Sequence, residues 1–106
     1  MWGLLTVAVA DPTDVAAFDL DRAWILSEGV SLRPERFGAI AYDFRTRRLV
    51  MLKDPGLADV VGSLAGYGSA REACAAAGAD ARRLGSLSLA LGSLARSGMI
   101  RLREPS

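Results

Sequence analysis

The sequence predicts a small α+β domain in which a three-stranded antiparallel sheet precedes three helices. Two apolar runs, Gly38–Phe44 and Arg48–Lys53, flank a polar break at residues 45–47, as the strands of a β-hairpin do. Beyond them the apolar period changes from two to about 3.6, which is typical of helices that bury one face. With 106 residues and 51% hydrophobic content, the chain can form one core. We therefore expect a winged-helix-like domain at residues 18–106 behind a flexible N-terminal arm at residues 1–17.

The arm contains an apolar run, Met1–Ala10, that superficially resembles a signal peptide. No basic residue precedes the run, and it is far shorter than the roughly 20 residues that span a bilayer. We therefore expect a cytoplasmic protein without a membrane segment. Three interpretations of the run stay open: a flexible arm, the product of an upstream start codon, or a strand that pairs with a neighbouring copy and builds an oligomer.

The first predicted strand lies within Phe18–Leu32, is broken near residues 27–29 and pairs with the Gly38 run. Pro34 should end it, because proline removes a donor from the ladder. In the next strand the larger apolar face should meet the core. We expect Ile40, Tyr42 and Phe44 to point inward, and Ala39, Ala41 and Asp43 to point outward.

The second hairpin strand carries apolar side chains on both faces, because Leu49 and Met51 alternate with Val50 and Leu52. Burial on one side alone would leave some of them exposed, which favours pairing of this edge strand with another strand. A register shift of one residue exchanges the two sets. The sequence therefore does not decide which set faces the core.

Three helices follow, each with recognisable ends. Asp54 caps the first, Pro55 occupies its first position, and it stops at Gly66–Gly68. Ser69 and Glu72 form a capping-box pattern for an alanine-rich second helix that ends at Gly78. Asp80 begins the third helix and Gly98 ends it. Its apolar stripe consists of Leu84, Leu87, Leu91 and Leu94. Its many glycines and serines leave room either for tight packing on neighbouring helices or for another chain.

The amino-acid composition excludes several kinds of catalytic and metal-binding site. The chain has no histidine and one cysteine, Cys74, so neither a disulfide within the chain nor a Cys/His zinc cluster nor a Ser-His-Asp triad can form. Asp19 and Asp21 form one short Asp-x-Asp pair, and no other possible ligands cluster with them in the sequence. Two carboxylates are too few for a cation site, so we expect them to be surface or capping groups. Residues 33–53 hold six basic residues against Glu35 and Asp43. This local positive charge favours an acidic partner or merely solvates the strand edge.

A winged-helix protein that binds DNA is the alternative from another functional class. Its recognition helix should present polar and basic side chains to base edges. The third helix offers only Arg82, Arg83 and Arg96 among glycine, serine and leucine. Binding through the hairpin arginines would be weak and independent of sequence, so the pattern argues against nucleic acid as the main partner.

Four segments resemble the small peptide chaperone of mycofactocin biosynthesis: FDLDRAW at 18–24, VSLRPERFGA at 30–39, YDFRTRRL at 42–49, and Leu52-Lys53. That family is similar to the chaperone of pyrroloquinoline quinone biosynthesis. Both belong to the peptide-recognition domains that serve ribosomally made, modified peptides. The resemblance extends over about residues 18–102 and leaves the arm outside.

The resemblance implies a binding module without catalysis or a cofactor of its own. Such a chaperone holds the leader of a short precursor peptide and presents the peptide to a radical S-adenosylmethionine maturase, which carries the iron–sulfur clusters. The leader would add a strand beside Arg48–Lys53 and lie against the third helix. The peptide-binding residues expected from this are Arg48, Leu49, Val50, Met51, Leu52, Lys53, Arg83, Leu84, Leu87, Ser88 and Leu91.

Overall fold

The structure, a computed structural model, describes residues 4–7 and 18–103. Its strands are β1 (Leu4–Val7), β2 (Trp24–Leu26), β3 (Val30–Glu35), β4 (Gly38–Asp43), β5 (Arg48–Leu52) and β6 (Ile100–Leu102). Its helices are α1 (Pro55–Ser63), α2 (Ala70–Ala76) and α3 (Ala81–Arg96), with a short 3-10 helix at Leu64–Gly66. The mixed α+β class and the three helices are confirmed. None of the helices in these described ranges has the length and apolar character needed to cross a bilayer.

The predicted antiparallel sheet is present as β3, β4 and β5, and β1 extends it to four strands in the order β1-β5-β4-β3. The prediction of one broken first strand is wrong in detail. A turn at Ser27, where its carbonyl accepts a hydrogen bond from the Val30 N–H at 3.0 Å, sends β2 to a separate pairing with β6. Pro34 does not end β3, because an edge strand tolerates a proline.

The prediction for the faces of β4 is wrong. Ala39 and Ala41 are 4% and 1% exposed, whereas Tyr42 is 37% and Phe44 63% exposed. The small side chains face the helices because they let α1 approach β4 closely. The volume of the core comes instead from Leu52 and its neighbours on β5 and from the helices, and the larger apolar face of β4 is turned outward.

The helix ends follow the predictions. The side chain of Asp54 accepts hydrogen bonds from the N–H groups of Gly56 and Leu57 at 2.9 and 3.2 Å. Ser69 and Asp80 cap α2 and α3 in the same way, through the N–H groups three residues later. These caps satisfy donors that the first turn of a helix leaves free. They fix where each helix begins relative to the sheet.

Candidate functional site

Strand β5 has an unambiguous orientation in the structure. Val50 and Leu52 are fully buried and point toward the helices, whereas Leu49 and Met51 are half-buried on the outer face of the sheet. The sequence left this alternation open. A strand on the edge of β5 opposite β4 therefore directs every second side chain toward the helices and the others outward.

Helix α3 runs antiparallel to β5 and is linked to it at both ends. Near the start of α3, Arg83 donates to the carboxylate of Asp54, which directly follows β5 and Lys53. Beyond the end of α3, the Ser97 carbonyl accepts a hydrogen bond at 3.0 Å from the guanidinium of Arg48, the first residue of β5. The two arginines thus hold the helix alongside the strand, and both were predicted site residues.

One row of α3 residues between these two links consists of small side chains. Steps of three and four residues along a helix stay on one face, and such steps lead from Arg83 through Ser86, Ala90 and Ser93 to Ser97. We call the space bounded by this row of α3 and by β5 the β5–α3 groove. Ser86 and Ser93 are half-buried and Ala90 is buried. Small side chains at these positions leave room for backbone to approach the helix.

A strand occupies the β5–α3 groove. β1 pairs in parallel with β5, with Leu4 opposite Leu49 and Val7 opposite Leu52, and it also lies beside α3. Both edges of β5 are therefore paired, because β4 holds the other edge. Within the predicted arm, β1 is the described part. The expectation of a flexible arm covered residues 1–17, and of these the residues 1–3 and 8–17 lie outside the described part of the chain.

Two predicted site residues of α3 lie on a different side of the helix. Ser88 precedes Gly92 by one turn, and Gly92 lines a shallow groove together with Phe18 and Trp24. The rings of Phe18 and Trp24 are 4.5 Å apart. Leu84, one turn before Ser88, shares that side. Helix geometry thus separates Leu84 and Ser88 from the row that begins at Arg83.

Two other predicted residues of α3 belong to the hydrophobic core. Leu87 is 2% exposed and Leu91 is fully buried. They support the groove from below rather than line an open pocket. The sequence pattern indicated Ser86 and Ser93 as small residues of the third helix but not as peptide-binding residues, although their seven-residue spacing places them on one face with Ala90.

Some basic side chains in and around the hairpin form ion pairs, whereas others are exposed to solvent. Arg33 pairs with Glu35 at 3.1 Å and Arg45 with Glu28 at 3.8 Å. Arg47 is exposed at the hairpin tip, and Lys53 is exposed just after β5. These two cations lie near opposite ends of β5 and can act on an approaching acidic peptide from a distance.

Asp21 and Cys74, which carry potentially reactive groups, both have structural roles. Asp21 accepts a hydrogen bond from Arg71 at 2.8 Å, and this bond and the arginine charge lower the pKa of Asp21. Cys74 is buried in the core, and burial raises the pKa of its thiol. Within residues 4–7 and 18–103, no three carboxylate, cysteine or histidine side chains form a group that could hold a metal ion. The expectation that Asp21 is a surface group agrees with its exposure.

Comparison with known proteins agrees with the resemblance noted above. The sequence model of the Peptide chaperone MftB family matches residues 23–101. Proteins named Peptide chaperone MftB from Mycobacterium tuberculosis and Mycobacterium ulcerans are each 49% identical to the chain, over 83 and 84 residues. These alignments cover 76% of this chain and 76% and 75% of the relatives. The protein of that name from Mycolicibacterium smegmatis is 43% identical over 83 residues, which is 78% of this chain and 81% of the relative.

No solved structure matches the chain. The matches to chaperones give the DNA-binding hypothesis no support. The contacts on α3 agree with this, because Arg83 is engaged with Asp54 and Arg96 donates to Ser93 at 3.1 Å. A helix with these contacts presents few side chains that could read base edges.

Proposed function

The chain belongs to the Peptide chaperone MftB family, and on this basis we propose how it acts as a chaperone in mycofactocin biosynthesis. It binds the leader of a short precursor peptide as an added strand on β5. The bound leader lies along α3 in the β5–α3 groove. The chaperone then presents the rest of the precursor to a radical S-adenosylmethionine maturase.

The proposal rests on one observation: the edge of β5 opposite β4 pairs with an added strand beside α3, and in this structure that strand is β1, a segment of the chain itself. Backbone hydrogen bonds of this kind tolerate variation in the sequence of the added strand. Specificity then comes from side chains at alternate positions of the leader. Those that point inward meet the small row of α3, and those that point outward lie beside Leu49 and Met51.

The proposed role requires no catalysis by this chain. A maturase that carries iron–sulfur clusters needs thiolate ligands, and the one cysteine here is buried in the core. The chaperone contributes by holding the precursor near the enzyme, which raises the local concentration of substrate. Turnover of precursor by this chain alone, without maturase, would contradict the proposal.

The experiment that tests the proposal is calorimetric titration of the chain with its precursor peptide and with a version that lacks the leader. We expect saturable binding to the intact precursor and no measurable heat of binding to the shortened one. A scrambled leader of the same composition serves as the control for nonspecific attraction. Equal binding of the intact and leaderless peptides would exclude leader recognition.

Electrostatic steering by Arg47 and Lys53 gives a kinetic prediction. Replacing both with Glu should slow association with an acidic leader by about tenfold at low salt, because long-range attraction accelerates encounter. The dissociation rate should change less. Stopped-flow measurements at low and high salt check this, since added salt should slow wild-type association and remove most of the difference. The double variant Arg36→Glu/Arg101→Glu, with both changes at exposed positions outside β5 and α3, is the control for net charge, because it reverses the same number of cations.

A further inference from the structure

The segment that forms β1 lies outside the part of the chain that matches the chaperone family. The family model begins at residue 23, whereas β1 spans Leu4–Val7. The matched part contains β5, α3 and both arginine links. The groove is thus part of the shared domain, and the strand that fills it comes from outside that domain.

β1 and a leader strand cannot occupy β5 together. The backbone N–H and C=O groups on one edge of a strand pair with one neighbouring strand. Four residues of β1, from Leu4 opposite Leu49 to Val7 opposite Leu52, cover nearly the whole length of β5. The opposite edge is held by β4 over five residue pairs. A leader therefore reaches β5 only where β1 has left.

We propose that β1 is a built-in competitor, a segment of the chain that occupies the leader's place on β5 and must be displaced before the precursor binds. This inference rests on the proposed function. It adds a regulatory step. In the absence of peptide, β1 covers the edge of β5, and the stability of this pairing sets the fraction of molecules in which that edge is open to the leader.

The composition and length of β1 suit a displaceable strand. Its sequence, Leu-Leu-Thr-Val, is apolar and contains two β-branched residues, which favour extended structure. It is only four residues long and pairs in parallel, which limits the number of hydrogen bonds and makes each pairing slightly weaker than in an antiparallel ladder. A longer leader that uses the same edge can gain contacts that β1 lacks.

A tethered competitor lowers apparent affinity without changing the site. The apparent dissociation constant equals the intrinsic one divided by the fraction of molecules that are open. An arm that leaves β5 open in about one molecule in ten therefore weakens leader binding about tenfold. Because the arm is attached, this effect does not depend on protein concentration. It would also exclude peptides that pair too weakly with β5 to displace β1.

A reversible covalent lock tests the inference in the full chain. Thr6 lies opposite Met51, and strands in a sheet are about 4.8 Å apart, which suits a disulfide. In the variant Thr6→Cys/Met51→Cys, oxidation should fasten β1 to β5 and reduce precursor affinity at least about 30-fold. Reduction of the same sample should return the affinity to that of the double variant before oxidation, which is the reference because Met51 itself lies at the proposed leader site. The single variants Thr6→Cys and Met51→Cys, treated with the same oxidant, are the controls, and the natural Cys74 is buried.

A variant in which the pairing of β1 with β5 is weakened, the released variant, should bind the precursor more tightly. Successive residues of a strand point their N–H groups to opposite sides, so prolines at both Leu5 and Thr6 remove a donor to β5 whichever residue supplies it. In the variant Leu5→Pro/Thr6→Pro, precursor affinity should rise at least about threefold. Hydrogen exchange of the β5 amides should become faster in the absence of peptide.

The outcomes separate the two proposals. If wild-type, reduced and released proteins all fail to bind the precursor, the proposed function is wrong and the inference falls with it. If the oxidised variant binds as well as the reduced one, or if the disulfide does not form, leader recognition stands and the competition is wrong. If oxidation yields only cross-linked dimers, the arm belongs on a second copy, and the tethered form of the inference is overturned.

Discussion

Replacing Ser86 with arginine should weaken precursor binding at least tenfold, or about 1.4 kcal/mol. Ser86 lies in the small row of α3 that faces β5, and it is half-buried. A long charged side chain there takes the space into which the inward side chains of a leader point. The same change at Ser88 should have a much smaller effect, because Ser88 shares its face with Gly92 and the aromatic groove. Calorimetric titration of both variants provides the measurement.

Two precautions make this comparison decisive. Ser86→Arg would also disfavour β1, and weaker closure by the arm would mask part of the loss of leader affinity. The pair should therefore be repeated in the released background, Leu5→Pro/Thr6→Pro. Circular dichroism and thermal melting should show that both arginine variants fold. If Ser88→Arg weakens binding and Ser86→Arg does not, the leader lies on the side of α3 that contains Leu84 and Ser88.

Local signals in the sequence were sufficient for the helices and the hairpin. Helix caps such as Asp54 and Ser69 act through neighbouring N–H groups, so residue type and spacing predict them directly. The face of β4 could not be predicted in that way. Ala39 and Ala41 are buried because helix α1 comes close to the sheet, and that distance is a property of the whole fold. A rule based on the size of apolar side chains therefore chose the wrong face.

The groove itself was only partly predictable. The resemblance implied a peptide site between β5 and α3, but the links from Arg83 to Asp54 and from Arg48 to the Ser97 carbonyl join residues 29 and 49 positions apart. No local pattern encodes contacts at that separation. The pairing of β1 with β5 is equally non-local, because it joins residues 45 positions apart, such as Leu4 and Leu49. The sequence left a strand in the arm as one of three interpretations, with a neighbouring copy as its partner, whereas β1 pairs with β5 of the same chain.

Removing the carboxylate of Asp54 should destabilise the domain more than removing its charge alone. Asp54→Ala loses both the cap of α1 and the partner of Arg83, and it should lower the free energy of unfolding by about 2 kcal/mol. Asp54→Asn retains a side-chain oxygen that caps equally well and loses only the charge, so about half of that loss is expected. Arg83→Met keeps the apolar stem and should resemble Asp54→Asn. Urea unfolding at neutral pH distinguishes these cases.

Acid titration of stability tests the same link independently. Burial opposes ionisation of Asp54, but hydrogen bonds from Arg83 and from the N–H of Leu57, the arginine charge and the N–H of Gly56 together lower its pKa below 3.8. The unfolded chain therefore binds the proton at a higher pH than the folded chain does. The stabilisation is complete above the unfolded pKa and is lost as the pH falls through the folded one. Asp21 shifts in the same direction, so the informative quantity is the difference between wild type and Asp54→Asn. That difference should shrink below about pH 4, and a difference independent of pH would show that the charge of Asp54 does not stabilise the link to α3.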